Sequence, residues 1–113
     1  MSERERRQGL NEAVFRQVNE RINDVHEAFE LDPQKLHLMC ECGDPACAER
    51  LEVPLEEYED VRSDATTFLL NPEHIEPDVE KIVRERAGYS IVRKVDEAVA
   101  RVVRRLNPRP RPA

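Results

Sequence analysis

Hydrophobic residues near the N-terminus recur every three or four positions. The stripe Leu10–Phe29 consists of Leu10, Val14, Val18, Ile22, Val25 and Phe29. This spacing puts one apolar side chain per turn on the same side of a helix, so it predicts one long amphipathic helix over residues 3–31. Asp32-Pro33 should end the helix, because a proline disfavours the helical conformation of the residue before it. We expect the stripe either to cover the chain's own sheet or to dock on another protein or a second copy of this chain.

Beyond Pro33 the pattern changes from a helical period to alternation. In KLHLMCEC, Leu36, Leu38 and Cys40 alternate with other residues, as is typical of a strand with one buried side. The segment ERLEVP predicts a short return strand, and GDPA between the two contains the residues that favour turns. The sequence therefore predicts a β-hairpin that carries CECGDPAC at its tip.

The second half of the chain predicts shorter elements. PLEEYEDVR predicts a short helix that begins at Pro54, and TTFLL predicts a strand that Pro72 ends. VEKIV and YSIVRKV predict a second hairpin around ERAG, and the apolar spacing from Val95 to Leu106 predicts a closing helix. The fold class we expect is α+β, with a long N-terminal helix packed on a small antiparallel sheet, a cysteine-bearing knuckle and one or two short helices.

The C-terminal residues have a different composition. NPRPRPA is too rich in proline for a helix or a strand, and such a segment is usually extended and mobile. We therefore expect a single domain over residues 1–106 and a disordered tail over residues 107–113.

The composition predicts a small core. The chain has 113 residues, of which 39% are hydrophobic and 37% charged, with no tryptophan. A domain of this size has little apolar surface to bury, and a structural metal is one way to stabilise it. The sequence has no apolar run of about 20 residues, and MSERERRQ lacks the apolar part of a secretory signal. We expect the protein to lie in the cytoplasm.

All three cysteines lie within eight residues, in the pattern C-x-C-x4-C. Disulfides are rare in the cytoplasm, so clustered cysteines there predict a metal site. Cys40 and Cys42 should point to the same side of a strand, and the turn after Gly43 should bring Cys47 back to them. Three thiolates from one knuckle suit Zn²⁺, which takes four ligands in a tetrahedron.

The fourth ligand must come from elsewhere in the chain, and His74 is the favoured candidate. It follows the strand TTFLL, so it reaches the knuckle if that strand packs beside the first hairpin. His37 should point to the opposite side of its strand from Cys40, and His26 lies far back in the first helix. Asp44 is a poor candidate. The predicted metal ligands are therefore Cys40, Cys42, Cys47 and His74, and such a site is closed and structural.

Three other interpretations of the cysteines stay open. They could be buried thiols, although Glu41, Asp44 and Glu49 are unusual neighbours for a core. They could be a redox pair, although nearby carboxylates raise a thiol pKa and a reactive thiolate prefers positive neighbours. An iron–sulfur cluster could also be bound by three cysteines and one histidine.

The same segments resemble a group of short, uncharacterised actinobacterial proteins. The resemblance rests on LNEAVFRQVNERI, CECGDPAC, PLEEYEDVR, NPEH and VEKIVRERAGYSIVRKV, and extends from about Arg4 to Arg109. Members are similar in a CECGD-x2-C knuckle and a PGH segment, where this chain has Asn71-Pro72-Glu73-His74. The resemblance implies the same four polar residues as a metal site and implies no activity.

For the function, the motifs of an enzyme are missing. The sequence contains no G-x-S-x-G, no phosphate-binding lysine loop and no glycine-rich dinucleotide loop. If the zinc were catalytic, Glu41 and Glu73 would be the candidate bases. We expect no catalysis.

The charge distribution bears on the choice of partner. Residues 30–78 carry 14 acidic and 3 basic side chains, whereas residues 98–113 carry five arginines and no acid. The basic tail allows an alternative function, a nucleic-acid-associated protein similar to zinc ribbons, but the net charge of -6 and the few aromatic residues disfavour it. We therefore expect a protein–protein interaction adaptor or regulator with a structural zinc, and no membrane partner.

Overall fold

The computed structural model describes residues 3–109, and over this range the chain forms three α-helices, five strands and one 3₁₀ helix. The elements are α1 Glu3–Ala28, β1 Leu36–Met39, β2 Arg50–Val53, α2 Leu55–Arg62, β3 Thr67–Leu70, the 3₁₀ helix Pro72–His74, β4 Glu80–Arg86, β5 Tyr89–Lys94 and α3 Glu97–Arg105. The α+β fold with a long N-terminal helix is confirmed.

The strands form two small antiparallel sheets. β1 and β2 make the first hairpin, with Leu36 opposite Val53 and Leu38 opposite Leu51. The second sheet has the order β3-β5-β4. Just after β1, the two sheets are joined by a hydrogen bond from the Glu41 amide to the carbonyl of Leu69, at 2.8 Å. The leucine, valine and aromatic residues of both sheets, α2 and α3 share one core, which also includes Cys40 and Cys42.

Helix α1 ends three residues earlier than its sequence pattern predicts. Glu30 has a φ of 51°, and the Leu31 amide donates to the carbonyl of His26 at 3.1 Å. This is the hydrogen bond of a Schellman motif, in which a residue in the left-handed conformation closes the helix. The proline at position 33 is therefore not what stops α1.

The most unexpected feature of the fold is the orientation of α1. Its buried residues are mostly polar: Gly9, Glu12, Ala13, Arg16, Asn19, Asn23 and His26. The outer face of α1, defined here as Val14, Val18, Val25 and Phe29, points away from the core, with Phe29 72% exposed. Of the predicted stripe Leu10–Phe29, Ile22 packs against the core. The expectation that the whole stripe covers the chain's own sheet is therefore wrong.

Hydrogen bonds explain how a polar helix face can be buried. Arg16 donates to the carbonyls of Ala65 at 2.6 Å and Val103 at 2.7 Å. The Asn19 side chain donates to the Met39 carbonyl at 2.9 Å and accepts from the Met39 amide at 2.8 Å. A buried polar group is tolerated when it is hydrogen-bonded, so these contacts fix α1 between α3 and the first hairpin.

Buried ion pairs complete the interface beneath α1. Lys94 is paired with Glu12 and Glu80, and all three side chains are at most 1% exposed. Burial raises the pKa of Glu12 to about 8, against the opposing effect of Lys94, and the Glu80 and Glu41 charges raise it further. In the folded protein, Glu12 therefore holds a proton more tightly than an exposed glutamate does.

One aromatic ring lies at the centre of these charges. The cationic groups of Arg16, Lys94 and Arg62 lie 4.9, 5.3 and 5.8 Å from the centre of the Phe68 ring. Such cation–π contacts are strengthened when the cation is removed from water. Phe68 therefore adds to the stabilisation of these buried cations, which hydrogen bonds and ion pairs already provide.

The first residues of the predicted tail are folded against the domain. Arg109 is paired with Glu20 and Glu59, and its guanidinium lies 5.8 Å from the Tyr58 ring centre. These ion pairs raise the pKa of Arg109 above its usual value. Arg109 is therefore held by carboxylates on α1 and α2, and a disordered tail over residues 107–113 stays a prediction. Residues 110–113 lie outside the described part of the chain.

None of the helices within residues 3–109 has both the length and the apolar character that crossing a membrane requires.

Candidate metal centre

The knuckle, residues 40–47, begins where β1 ends. The Cys40 amide donates to the Glu49 carbonyl at 3.1 Å, which extends the hairpin by one residue pair. Cys40 and Cys42 are buried, and so is Glu41 between them. The alternation of side chains therefore continues beyond the end of β1. The two thiols point to one side of the chain, and Glu41 points to the other side, into the core.

Glu41 is the anchor of the knuckle. Arg62 donates to both carboxylate oxygens, at 3.0 and 2.8 Å. Asn19 donates to the same carboxylate at 2.7 Å, and the Leu69 amide also donates to it, at 3.0 Å. The sequence suggested an acidic surface residue or a base beside zinc, but both oxygens of Glu41 are engaged in the core. The only sequence signal for this role is the position of Glu41 between Cys40 and Cys42, two residues that are predicted to point to the same side of the strand.

Gly43 makes the turn of the knuckle possible. Its φ is 81°, and a Cβ at this position would lie 2.8 Å from Glu12 Cγ and 2.9 Å from the Gln8 carbonyl oxygen. The Gly43 carbonyl accepts a hydrogen bond from the Asn11 side chain at 3.1 Å. Only glycine has both the left-handed conformation and the small size that this approach to α1 requires.

The rest of the turn returns Cys47 to the other two cysteines. Asp44 accepts from the Ala46 amide through its side chain at 2.9 Å, and its carbonyl accepts from the Cys47 amide at 3.0 Å. These bonds close a tight turn of the kind that aspartate favours. Cys47 is half-buried at the surface side of the site.

His74 reaches the knuckle from the end of the 3₁₀ helix that follows β3. Asn71 caps this helix, since its side chain accepts from the Glu73 amide at 2.9 Å. The Asn71 amide donates to Cys40 Sγ at 3.2 Å. Asn71 therefore positions the histidine and also hydrogen-bonds a thiol. The sequence analysis missed this residue, although Asn-Pro before a short turn is typical of a helix cap.

The four predicted ligands meet at one point. One ligand atom from each of Cys40, Cys42, Cys47 and His74 lies within 4.8 Å of all the others. His74 Nδ1 is 3.5 Å from Cys40 Sγ and 3.6 Å from Cys47 Sγ. In a tetrahedral zinc site, bond lengths of about 2.3 Å to sulfur and 2.0 Å to nitrogen separate these atoms by about 3.5 Å. This group of side chains could hold a metal ion.

The two buried thiols are not activated by their surroundings. Burial raises the pKa of Cys40, and the neighbouring cysteines raise it further, against the opposing Asn71 amide. Burial also raises the pKa of Cys42, against the Asp44 amide. The three cysteines are free of disulfides. A raised pKa keeps a thiol protonated and unreactive, so a bound cation is what would make thiolates of this cluster.

The other two histidines lie apart from the cluster. His37 is exposed, with Nε2 3.9 Å from a Glu52 oxygen. His26 is buried, and its Nε2 lies 2.7 Å from the Asp32 carbonyl oxygen. His37 therefore lies on the exposed side of its strand, opposite Cys40 as expected, and His26 is held on α1 by a backbone carbonyl.

A cleft of about 660 Å³ lies between the first turns of α1 and the knuckle. Its α1 side contributes Arg4 and Arg7, and its other side contributes Asp44, Glu73 and Glu76. Cys42 and His74 also line it, so the cleft belongs to the outer boundary of the candidate metal site.

Comparison with known proteins gave no relative: no protein-family model, no curated protein and no solved structure matches this chain. The resemblance to short actinobacterial proteins therefore stays a prediction.

Proposed function

We propose that this protein is a small interaction module, stabilised by one structural Zn²⁺ ion, that works in the cytoplasm and catalyses no reaction. The observation that carries the interaction role is the outer face of α1, whose four apolar side chains are exposed. Natural helices bury their apolar side where they can. In this chain the buried side of α1 is polar instead, so its apolar side is available to a partner.

Zinc is the metal that fits the donor set best. Three sulfurs and one imidazole nitrogen are the ligands of closed structural zinc sites. Four protein ligands leave no open position for a substrate or an activated water, which is the reason we propose no catalysis. An iron–sulfur cluster needs room for inorganic sulfide, and the 3.5 and 3.6 Å sulfur–nitrogen separations suit a single ion instead.

A role in the cytoplasm fits the cysteine chemistry. Thiols that bind zinc must stay reduced, and glutathione and thioredoxin keep them so in that compartment. One of the arginines on which the nucleic-acid alternative depends, Arg109, is engaged with Glu20 and Glu59 and is therefore less available to phosphates.

If the outer face of α1 binds a partner, the stability of the isolated chain should not depend on this face. Val25→Glu should change the free energy of unfolding by no more than about 0.5 kcal/mol, as an exposed substitution does, because Val25 is 54% exposed. Val99→Glu is the control that should prevent folding, since Val99 is 2% exposed. Urea unfolding followed by circular dichroism measures both. A Val25→Glu variant as unstable as Val99→Glu would show that this face is part of the core, and the proposed function would fail.

A further inference from the structure

We propose that Glu20, Tyr58 and Glu59 form a binding site for an arginine of another protein, carried by an extended peptide with a proline on each side of the arginine. These three residues are called the arginine site. The chain's own Arg109 occupies the site in this structure. The arginine site uses other residues than the outer face of α1, so either proposal can fail without the other.

Arg109 shows which chemical group the arginine site binds, because all three nitrogens of its guanidinium donate hydrogen bonds. Nε and one terminal nitrogen donate to the two oxygens of Glu20, the terminal nitrogen at 3.1 Å. The two terminal nitrogens donate to the two oxygens of Glu59, at 2.6 and 3.1 Å. Two carboxylates that each accept a pair of bonds match the planar fork of arginine, and the ammonium group of lysine cannot make the same contacts.

The carboxylates of the arginine site are also positioned by residues other than Arg109. The Tyr58 hydroxyl donates to Glu20 Oε2 at 2.6 Å, and the buried Asn23 donates to Glu59 Oε1 at 3.4 Å. The Tyr58 ring centre lies 5.8 Å from the guanidinium, within the range of a cation–π contact. Groups that are held in place before binding lose less free energy on ordering. Helices α1 and α2 therefore provide the site, and the tail provides its occupant.

The charges of the arginine site require a cation. Glu20 and Glu59 bind the same guanidinium, so without it their negative charges would lie close together and repel each other. Burial opposes the charge of Glu20, but the hydrogen bonds from Arg109 and Tyr58 outweigh this effect, and the pKa of Glu20 lies below its usual value. The surrounding segment, residues 30–78, carries 14 acidic and 3 basic side chains. This excess of negative charge attracts a basic peptide.

The occupant from the chain's own tail is replaceable. Among the described tail residues, 107–109, Arg109 alone donates to α1 and α2. The side chain of Asn107 makes local bonds, donating to the Arg109 carbonyl at 2.7 Å and accepting from the Arg109 amide at 3.2 Å. The side chains of Arg109 and Glu59 are 32% and 44% exposed. A competing arginine can therefore reach the site from solvent without unfolding the domain.

The sequence around Arg109 indicates what surrounds the arginine in a partner. Arg109 lies between Pro108 and Pro110, and a proline disfavours the helical conformation of the residue before it. Proline-rich segments are extended before they bind, so they lose little conformational entropy on binding. The partner is therefore an extended Pro-Arg-Pro segment whose arginine enters the site as Arg109 does.

The experiment measures binding of the labelled peptide NPRPRPA, the sequence of residues 107–113, to the full chain by fluorescence anisotropy. Arg109→Ala/Arg111→Ala, called the emptied chain, removes both arginines of this segment from competition. The emptied chain should bind the peptide at least about threefold more tightly than the wild type, because a tethered competitor is present at a millimolar effective concentration.

Two changes test the contacts of the arginine site. Glu59→Gln, added to the emptied chain, should raise the dissociation constant at least about tenfold. A peptide with lysine in place of both arginines should bind the emptied chain as weakly. The matched control is Glu52→Gln, which removes the same charge from an exposed glutamate that pairs with His37. The control should leave binding unchanged.

Circular dichroism checks that each variant is folded. If the emptied chain is unfolded, Arg109→Lys replaces it, because lysine keeps the positive charge of the tail but cannot form the paired bonds. Arg109→Lys should also bind the peptide more tightly than the wild type. A folded variant that binds no peptide at millimolar concentration, equal binding of the lysine peptide, or equal effects of Glu59→Gln and Glu52→Gln would overturn the proposal.

Discussion

At the scale of single residues, the knuckle depends on side chains that bind no metal. Glu41 ties the loop to Arg62 in the core, and Asn71 caps the short helix that carries His74. Gly43 allows the loop to approach α1. Contacts of this kind would hold the four ligands in place and raise the affinity of the site for a metal ion.

Gly43→Ala is the residue-scale prediction. An alanine here must adopt a left-handed conformation and also meet Gln8 and Glu12 at less than 3.0 Å. We expect the free energy of unfolding to fall by about 1–3 kcal/mol and zinc to be retained less well. Chemical denaturation and zinc release to a colorimetric chelator measure the two effects.

Gly88→Ala is the matched control for this substitution. Gly88 also has a positive φ, 87°, but nothing lies within 4 Å of its added Cβ. Gly88→Ala should lower the free energy of unfolding by less than Gly43→Ala does, and it should not change the affinity for zinc. Equal effects of the two substitutions would mean that the contact between the knuckle and α1 is unimportant.

At the scale of elements, the sequence predicted the positions of helices and strands better than it predicted which side of each element is buried. The periods of the apolar residues located α1, both hairpins and α3, and the spacing of three cysteines and one histidine located the cluster. The period of α1 could not reveal its buried side, because Arg16 and Asn19 are satisfied by distant carbonyls, including that of Val103. Hydrogen-bond partners far apart in the chain leave no periodic pattern.

The buried side of α1 makes a prediction about pH. Folding raises the pKa of Glu12 from 4.5 to about 8, so the folded state binds this proton more tightly than the unfolded chain does. The resulting stability is complete below pH 4.5 and is lost as the pH rises towards 8. The free energy of unfolding should therefore fall less steeply with pH in Glu12→Gln than in the wild type. The two slopes should differ by up to about 1.4 kcal/mol per pH unit.

Urea unfolding at several pH values checks this expectation. Glu27→Gln is the control, because Glu27 is an exposed residue of the same helix, and it should keep the pH dependence of the wild type. The groups that face Glu12 are Lys94, Glu80 and Glu41, and they are unchanged in both variants. A Glu12→Gln variant that loses stability with rising pH as steeply as the wild type would contradict the assignment.

At the scale of the whole molecule, a small charged chain is stabilised in two different ways. One side of the core is apolar and carries the knuckle, while the other is a set of buried ion pairs under α1 around Phe68. Buried ion pairs contribute specificity more readily than stability. A structural metal is therefore the element that we expect to contribute most to the stability of this domain.

The most direct test of this account is the metal content of protein purified without added metal. Elemental analysis should find about one zinc per chain in the wild type. His74→Ala should retain less zinc, while His37→Ala, which removes an exposed histidine outside the cluster, should retain as much as the wild type. A wild-type chain without metal, or equal zinc in all three proteins, would contradict the Cys40, Cys42, Cys47 and His74 site.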